Sequence, residues 1–160
     1  MNINILSGCS YPEEIAPLFS EYTQHLMDNS PEIAEYLSMQ NYDEEVKHLE
    51  HKYGEPYGRL YIVFCDGKAA GCIGLRKMDS QRCEMKRFYV RPEFRGHRIG
   101  HMLIEKIIDD AKTIGYSHML LDTLPYLESA IHLYQSYGFY EIPIYNDNPI
   151  ESSIYMQLEL

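Results

Sequence analysis

The chain has 160 residues, of which 45% are hydrophobic and 24% charged, and its formal net charge is -10. This balance is typical of a globular domain and excludes a disordered chain, and the length suits one domain, residues 1–160, whose core needs no disulfides. No apolar run approaches the roughly 20 residues that span a bilayer, and the N-terminus lacks the basic and apolar regions of a secretory signal, so we expect a cytoplasmic protein without a membrane partner.

The first half of the chain predicts a short strand, two helical stretches and an antiparallel meander. A strand over residues 2–6 precedes a helix from Pro12 to about Asp28, whose apolar residues recur on one face and which ends at the sequence DNSPE. A second helical stretch follows at about residues 44–53. Three β-like runs then cover residues 59–65, 69–77 and 83–91, with a hairpin turn at residues 66–68.

The second half predicts two helices and three strands. Apolar residues at helical spacing between Leu103 and Ile114 indicate the most regular helix, and the glycine directly after them is placed to cap it. A buried strand over residues 118–123 precedes another helix, and the last strands are expected at residues 139–144 and 153–160. The order β-α-α-β-β-β-α-β-α-β-β predicts an α/β (α+β) domain with a mixed sheet of about seven strands flanked by four helices.

The four cysteines form no C-x-x-C pair and show no metal-ligand spacing with a histidine. A core of this size does not require a disulfide framework. We therefore expect reduced, buried thiols at Cys9, Cys65, Cys72 and Cys83, and no bound metal.

The stretch 84–101 reverses the charge of the chain, because five cations stand there against two anions. Such a local excess of positive charge favours an anionic ligand. Gly96 and Gly100 let backbone N–H groups approach a ligand closely, and the helix that starts here adds unpaired amides and the positive end of its dipole. The pattern predicts a phosphate or pyrophosphate cradle, and the alternative is a loop with a solvated basic rim. A P-loop and a dinucleotide-binding fingerprint both fit poorly.

The segments FYVRPEFRGHRIGHMLIEKIIDDAKTIGY, MLLDT and AIHLYQSYGF resemble the GCN5-related N-acetyltransferase (GNAT) superfamily, whose R/Q-x-x-G-x-G/A loop appears here as RGHRIG, residues 95–100. The likeness is detailed over residues 83–139 and fits the element order. It implies a mostly antiparallel sheet with acetyl-CoA in a cleft where two central strands splay apart. The pantetheine arm would run beside the strand end, and backbone amides of the loop would hold the pyrophosphate. The implied cofactor-binding residues are Phe88, Tyr89, Val90, Arg95, Gly96, His97, Arg98, Ile99, Gly100 and His101.

The resemblance also implies direct acetyl transfer to an amine, with two catalytic side chains. Glu84 corresponds to a glutamate that some members use as general base. Strand alternation predicts that its side chain shares a face with those of Lys86, Phe88 and Val90. A solvated glutamate or an ion-pair partner of a neighbouring cation is the alternative. Tyr134 corresponds to the tyrosine that protonates the departing thiolate, although an aromatic residue on this apolar helix face also suits the core. A main-chain N–H at the end of the strand is the implied donor to the oxyanion.

One position departs from the family pattern. Many relatives have an asparagine where this chain has Leu127, so Ser129 is named as the substitute cofactor contact at the start of this helix. His97 and His101 have the spacing of a zinc-binding helix, but Arg98 between them would repel a cation, so we expect surface or phosphate-facing histidines. A sequence pI near 5.1 argues against nucleic acid as the partner of the basic stretch.

The acceptor is less well defined. Acidic residues around the connection of the first two helices offer long-range attraction for a cationic amine, as in any acidic protein, and tyrosines are available to line a pocket. We predict acetyl transfer to the primary amine of a small or amino-acid-like acceptor. A non-catalytic acyl-CoA-binding module, a protein (N-terminal or lysine) acetyltransferase and a homodimer paired through the last strands stay open. The acidic residues are Asp28, Glu32, Glu35, Asp43, Glu44 and Glu45, and the tyrosines are Tyr36, Tyr42, Tyr126, Tyr140 and Tyr145.

Overall fold

A single sheet of seven strands forms the centre of the molecule, in the order β1-β2-β3-β4-β5-β7-β6. The computed structural model describes residues 1–29, 42–148 and 150–160. Every neighbouring pair is antiparallel except β4 and β5, which are parallel, so the predicted mixed and mostly antiparallel sheet is confirmed. The strands are β1 (Ile3–Ser7), β2 (Arg59–Cys65), β3 (Lys68–Lys77), β4 (Arg82–Val90), β5 (His118–Thr123), β6 (Tyr140–Ile142) and β7 (Ile154–Glu159).

Helices lie on both faces of the sheet, as predicted, but two boundaries differ from expectation. The predicted stretch 44–53 is two short helices, because His48 between them leaves the helical conformation at φ -135° and ψ 52°. The predicted strand 139–144 is only three residues long, since Pro143 has no N–H to continue the ladder. Among these helices none combines the length and apolarity needed to cross a bilayer. The helices are α1 (Pro12–Asn29), α2 (Tyr42–Lys47), α3 (Leu49–Tyr53), α4 (Ile99–Ile114) and α5 (Glu128–Ser136).

Each face of the sheet has its own apolar core. On one face the stripe Leu103, Ile104, Ile107 and Ala111 of α4 packs with Tyr134 of α5 over the central strands. We call this the α4 face. On the other face, α1 and α3 cover β2 to β4 with a smaller cluster that includes Ile15, Leu18, Phe19, Leu49 and Tyr53, and we call it the α1 face.

All four cysteines are free thiols, as expected, and they are buried except for the half-buried Cys9.

Candidate active site

The sheet opens into a cleft between β4 and β5. The two strands pair over three positions only, of which Glu84 opposite Leu120 is the last. Beyond it β4 continues to Val90 and β5 to Thr123 with no ladder between them in the described part of the chain. The predicted splaying of two central strands is therefore present.

The free edge of β4 presents backbone groups to this cleft. The N–H of Arg91 bonds the carbonyl of Ala70 on β3 at 2.8 Å, and the backbone groups of successive strand residues alternate in direction. The N–H and C=O groups of Phe88 and Val90 therefore point away from β3, toward the cleft. The carbonyl of Val90 accepts a hydrogen bond from Arg95 Nε at 3.0 Å. Main-chain donors at this strand end are thus placed where the resemblance puts the oxyanion.

A β-bulge interrupts β4 directly beside the cleft. Cys72 pairs with Tyr89, whereas Gly74 pairs with Lys86, so β4 has one more residue than β3 over this interval. Arg87 lies in the bulge with a φ of 58°, in the left-handed region that non-glycine residues rarely occupy.

The bulge overturns the predicted face of Glu84. Phe88 and Val90 pack against the α4 face, together with Met85. Since residues alternate up to the bulge, Glu84 and Lys86 lie on the opposite, α1 face. The expectation that Glu84 shares a face with Phe88 and Val90 was wrong, because the extra residue exchanges the two faces of the strand. Of the three residues predicted to share a face with Glu84, only Lys86 does so.

The loop after β4 has the geometry of an anion cradle. Gly96 has a φ of 87° and Arg98, at the N-cap of α4, a φ of 61°. No group in the described ranges accepts a hydrogen bond from the backbone N–H groups of residues 96–101, because the first helical bond runs from Met102 to Arg98. The side chains of Arg95, His97 and Arg98 are exposed around these donors. A row of free amides at a helix start, rimmed by guanidinium groups, is able to bind a diphosphate.

Close packing joins this loop to the cleft. A Cβ on Gly100 would lie 3.2 Å from the ring of Phe88 and 3.3 Å from Leu133 on α5, so glycine allows the start of α4 to approach both elements. Ile99 is buried in the α4 face, and His101 Nδ1 lies 3.0 Å from the hydroxyl of Tyr137. The sequence-predicted cofactor residues on β4 and α4 are therefore brought together.

Two of the predicted cofactor contacts lie outside this group. The Tyr89 side chain points to the α1 face, with its hydroxyl 3.4 Å from Glu21, so only its backbone lies beside the cleft. Ser129 is exposed in the first turn of α5 and makes no side-chain hydrogen bond to any described residue.

Tyr134 is buried where α5 meets the cleft. Its ring centroid lies 6.1 Å from that of Phe88 and 5.8 Å from that of Phe139. Burial, with a contribution from the Asp122 carboxylate, raises the pKa of its hydroxyl. In the parts of the chain that the structure describes, no group hydrogen-bonds this hydroxyl. The tyrosine is therefore protonated at neutral pH and has a free donor.

Glu84 is buried and paired, not solvated. Its side chain is 3% exposed, and its carboxylate accepts hydrogen bonds from Arg76 Nε and from the Tyr145 hydroxyl, both at 2.6 Å. Lys86 Nζ lies 3.5 Å away. Burial alone would raise the pKa of Glu84, but Lys86, Arg76 and Tyr145 together hold it below its ordinary value. Glu84 is an ionised carboxylate at neutral pH.

A second charged cluster lies on the α1 face, and the sequence named its carboxylate, Glu45, without the cations that pair with it. Glu45 accepts hydrogen bonds from Arg87 Nε at 3.0 Å and from Lys52 at 2.8 Å. Burial, followed by repulsion from Lys86 and Arg87, lowers the pKa of Lys52 to about 8 although Glu45 opposes the shift. The available signal was the pair of adjacent cations, Lys86 and Arg87, in the middle of β4.

The other residues predicted to form the acceptor pocket do not lie together in the structure. Tyr145 reaches the site through Glu84, but Tyr126 bonds the carbonyl of Leu26 and Tyr140 is exposed at the sheet edge. Glu44 is exposed on α2, and Asp28 is exposed at the end of α1. The side chains of Glu32, Glu35, Tyr36, Tyr42 and Asp43 lie outside the described residues.

One group of residues has metal-binding atoms close together. Within the described ranges, His48, Glu50 and His51 offer ligand atoms within 4.8 Å of one another, and all three are exposed at or beside the start of α3.

The chain is similar to known proteins in both sequence and fold. The model of the Acetyltransferase (GNAT) family matches residues 19–139. An uncharacterised N-acetyltransferase of Schizosaccharomyces pombe is 39% identical over 99% of this chain and 96% of its own length. The structure of an acetyltransferase from Streptococcus agalactiae superposes with a TM-score of 0.81 at 20% identity, covering 99% of this chain and 98% of that one. A GNAT acetyltransferase from Elizabethkingia anophelis, solved with acetyl-CoA bound, has a TM-score of 0.55 at 28% identity over 64% of this chain and 76% of that one.

The fold and the cleft thus define an acyl-transfer scaffold with an anion cradle beside a split sheet. The chain belongs to the GNAT family of acetyltransferases and is an N-acetyltransferase.

Proposed function

We propose that the chain transfers the acetyl group of acetyl-CoA directly to the primary amine of a small or amino-acid-like acceptor. The observation that carries this proposal is the free edge of β4 beside the unbonded amides of residues 96–101. β4 offers the backbone groups of its free edge to the extended pantetheine arm, and the loop after it offers N–H donors to the pyrophosphate. The acetyl-CoA seen in the Elizabethkingia anophelis relative supports the same cosubstrate. The four free thiols support a reducing, cytoplasmic location.

The loop and the strand would divide the binding of the cosubstrate. Amides of residues 96–101 hold the pyrophosphate, with Arg95 and Arg98 adding positive charge. The pantetheine amides bond the edge of β4 at Phe88 and Val90, as an added strand would. His97, His101 and Ser129 stand at the rim of this site.

Glu84 and Tyr134 would then handle the two protons of the reaction. The acceptor ammonium must lose a proton before its nitrogen attacks the thioester carbon. Glu84 has a lowered pKa and is a weak base, so it attracts the ammonium and orders a water that takes the proton. The C–S bond breaks as the amide bond forms, the attacking nitrogen releases its second proton to solvent, and the Tyr134 hydroxyl protonates the departing thiolate and is reprotonated from solvent. Its position on the α4 face agrees with this role, since Phe88 and Val90 face the same side.

The test pairs cofactor binding with turnover. Acetyl-CoA at a hundredfold excess over its dissociation constant should stabilise the protein by about 2.7 kcal/mol, and thiol release should follow when amines are added. Gly96→Ala should abolish the stabilisation, because a side chain at this positive φ distorts the cradle. Gly115→Ala is the matched control: Gly115 also has a positive φ and open space around it, at the far end of α4, so both variants carry a similar strain of about 1–2 kcal/mol.

Four outcomes contradict parts of the proposal. Absence of any shift with acetyl-CoA contradicts the binding site. An equal loss in both glycine variants contradicts the assignment of the cradle. A full shift without thiol release from any amine indicates a non-catalytic acyl-CoA-binding module, and release only with peptides indicates a protein acetyltransferase.

A further inference from the structure

Lys86 is a half-buried ammonium with unused hydrogen-bond donors at the mouth of the cleft. It lies two residues beyond Glu84, where the β4–β5 ladder ends, and its side chain is 16% exposed. Its charged neighbour Glu84 is 3.5 Å away, and both oxygens of that carboxylate already accept shorter bonds from Arg76 and Tyr145. In the described part of the chain, Lys86 Nζ donates no hydrogen bond. This partly buried cation therefore has a carboxylate neighbour but no hydrogen-bond acceptor among the described residues, and such an acceptor would stabilise it.

The surroundings of Lys86 add to this deficit of negative charge. Lys52 and Arg87 stand near it on the same face of the sheet and share the single carboxylate of Glu45. Arg76 stands on the other side of Glu84. Across the cleft Asp122 accepts bonds from the side-chain amides of two asparagines. Among the residues that the structure describes, four cations therefore meet three carboxylates in a partly buried region, whereas the overall charge of the chain is -10.

The position of Lys86 relative to the reacting groups matches a small zwitterion. Glu84 lies where the ladder ends, at the narrow end of the cleft, and favours an ammonium there. Lys86 is two residues further out, at the level of Asp122 on β5, and together with Lys52 it favours an anion. The charged atoms of Lys86 and Glu84 are only 3.5 Å apart, so an ammonium beside Glu84 and a carboxylate beside Lys86 would lie within one small molecule.

We propose that Lys86 binds a carboxylate of the acceptor, so that the enzyme acetylates amines that carry an acid group, amino acids in particular. This inference rests on the proposed acetyltransferase function and adds the class of acceptor. Of the acidic residues that the sequence offered to attract a cationic amine, Glu45 is already paired with Arg87 and Lys52. Lys86 then determines specificity by direct contact with the substrate.

The experiment compares each of the twenty amino acids with its carboxamide as acceptor at saturating acetyl-CoA. For the best pair, the wild-type protein should prefer the acid by about tenfold to hundredfold in kcat/KM, the range expected for a hydrogen-bonded charge pair. Lys86→Met should lose this preference through a higher KM for the acid, with little change for the amide. Lys86→Arg should keep most of it. Lys68→Met, which removes an exposed lysine from the β2–β3 hairpin, should behave as wild type.

A second measurement does not depend on turnover. The N-acetylated amino acids and their amides are tested for binding to the CoA complex by saturation-transfer NMR, and each variant is checked for acetyl-CoA stabilisation so that misfolding is recognised. Preference for the amides, or an unchanged preference in Lys86→Met, overturns the inference. Stabilisation by acetyl-CoA with neither turnover nor binding of any acid also overturns it. Failure of the wild-type protein to bind acetyl-CoA refutes the proposed function itself, which is a separate result.

Discussion

Removal of the Tyr145 hydroxyl tests whether the Glu84 carboxylate is held ionised in a buried network. In Tyr145→Phe the ring keeps its edge contact with Tyr155, whose centroid is 5.4 Å away, and only the 2.6 Å hydrogen bond to Glu84 is lost. A hydrogen bond to a charged group contributes about 1.5–3 kcal/mol. For a domain of this size that corresponds to a fall in Tm of about 3–12 °C.

The pH dependence of this loss identifies its origin. The pKa of Glu84 is lowered in the folded state, so its network stabilises the protein above the ordinary carboxyl pKa, and this contribution disappears as the pH falls through the folded-state pKa. The difference between wild type and Tyr145→Phe should therefore be full at pH 7 and shrink below about pH 4, where the unfolded carboxyl becomes protonated.

The measurement is urea unfolding followed by far-UV circular dichroism over a series of pH values. Tyr140→Phe provides the control, because Tyr140 also donates to a glutamate, Glu159 at 3.3 Å, but is 42% exposed. That variant should stay within about 0.5 kcal/mol of wild type at every pH. A Tyr145→Phe loss no larger than this, or one that is constant with pH, would refute the buried ionised network.

Two further predictions concern Tyr134 and the thiols. Tyr134→Phe preserves the packing against Phe88, so its unfolding free energy should change by less than about 1 kcal/mol while kcat falls about 10²–10⁴-fold; an unchanged kcat in a thiol-release assay would assign the tyrosine to the core alone. Burial raises the pKa of both Cys72 and Cys83 to about 12, so Ellman's reagent should modify the half-buried Cys9 first and reach the other two only on unfolding. Equal rates for all thiols in the native protein would contradict that burial.

Regular periodicity explains which elements the sequence predicted well. α4 was anticipated from Leu103 to the capping glycine because its apolar stripe repeats with the helical period over the whole element. The strand 118–123 was predicted with its observed bounds, since a short apolar run before Pro125 has few alternatives. The cradle loop was likewise apparent, because glycines and arginines are placed next to a helix start within a few residues.

Local patterns carried no information about the rest of the site. No feature of the β4 sequence identifies Arg87 as the bulged residue. Strict alternation therefore predicts that Phe88 and Val90 share a face with Glu84, which they do not. The partners of Glu84 and Arg87 are equally remote: Tyr145 is 61 positions from Glu84, and Glu45 is 42 positions from Arg87. Such contacts depend on how the loops and α2 pack over the sheet, which a single sequence does not encode in any short pattern.

The bulge at Arg87 separates two surfaces that a regular strand would have mixed. In a regular strand, the side chains of residues 84 and 86 would lie on the same face as those of residues 88 and 90. The bulge places the two pairs on opposite faces of the sheet. Under the proposed function, a substitution at position 86 would change which molecules are modified without altering positions 88 and 90 or the following loop, which would hold the common donor molecule.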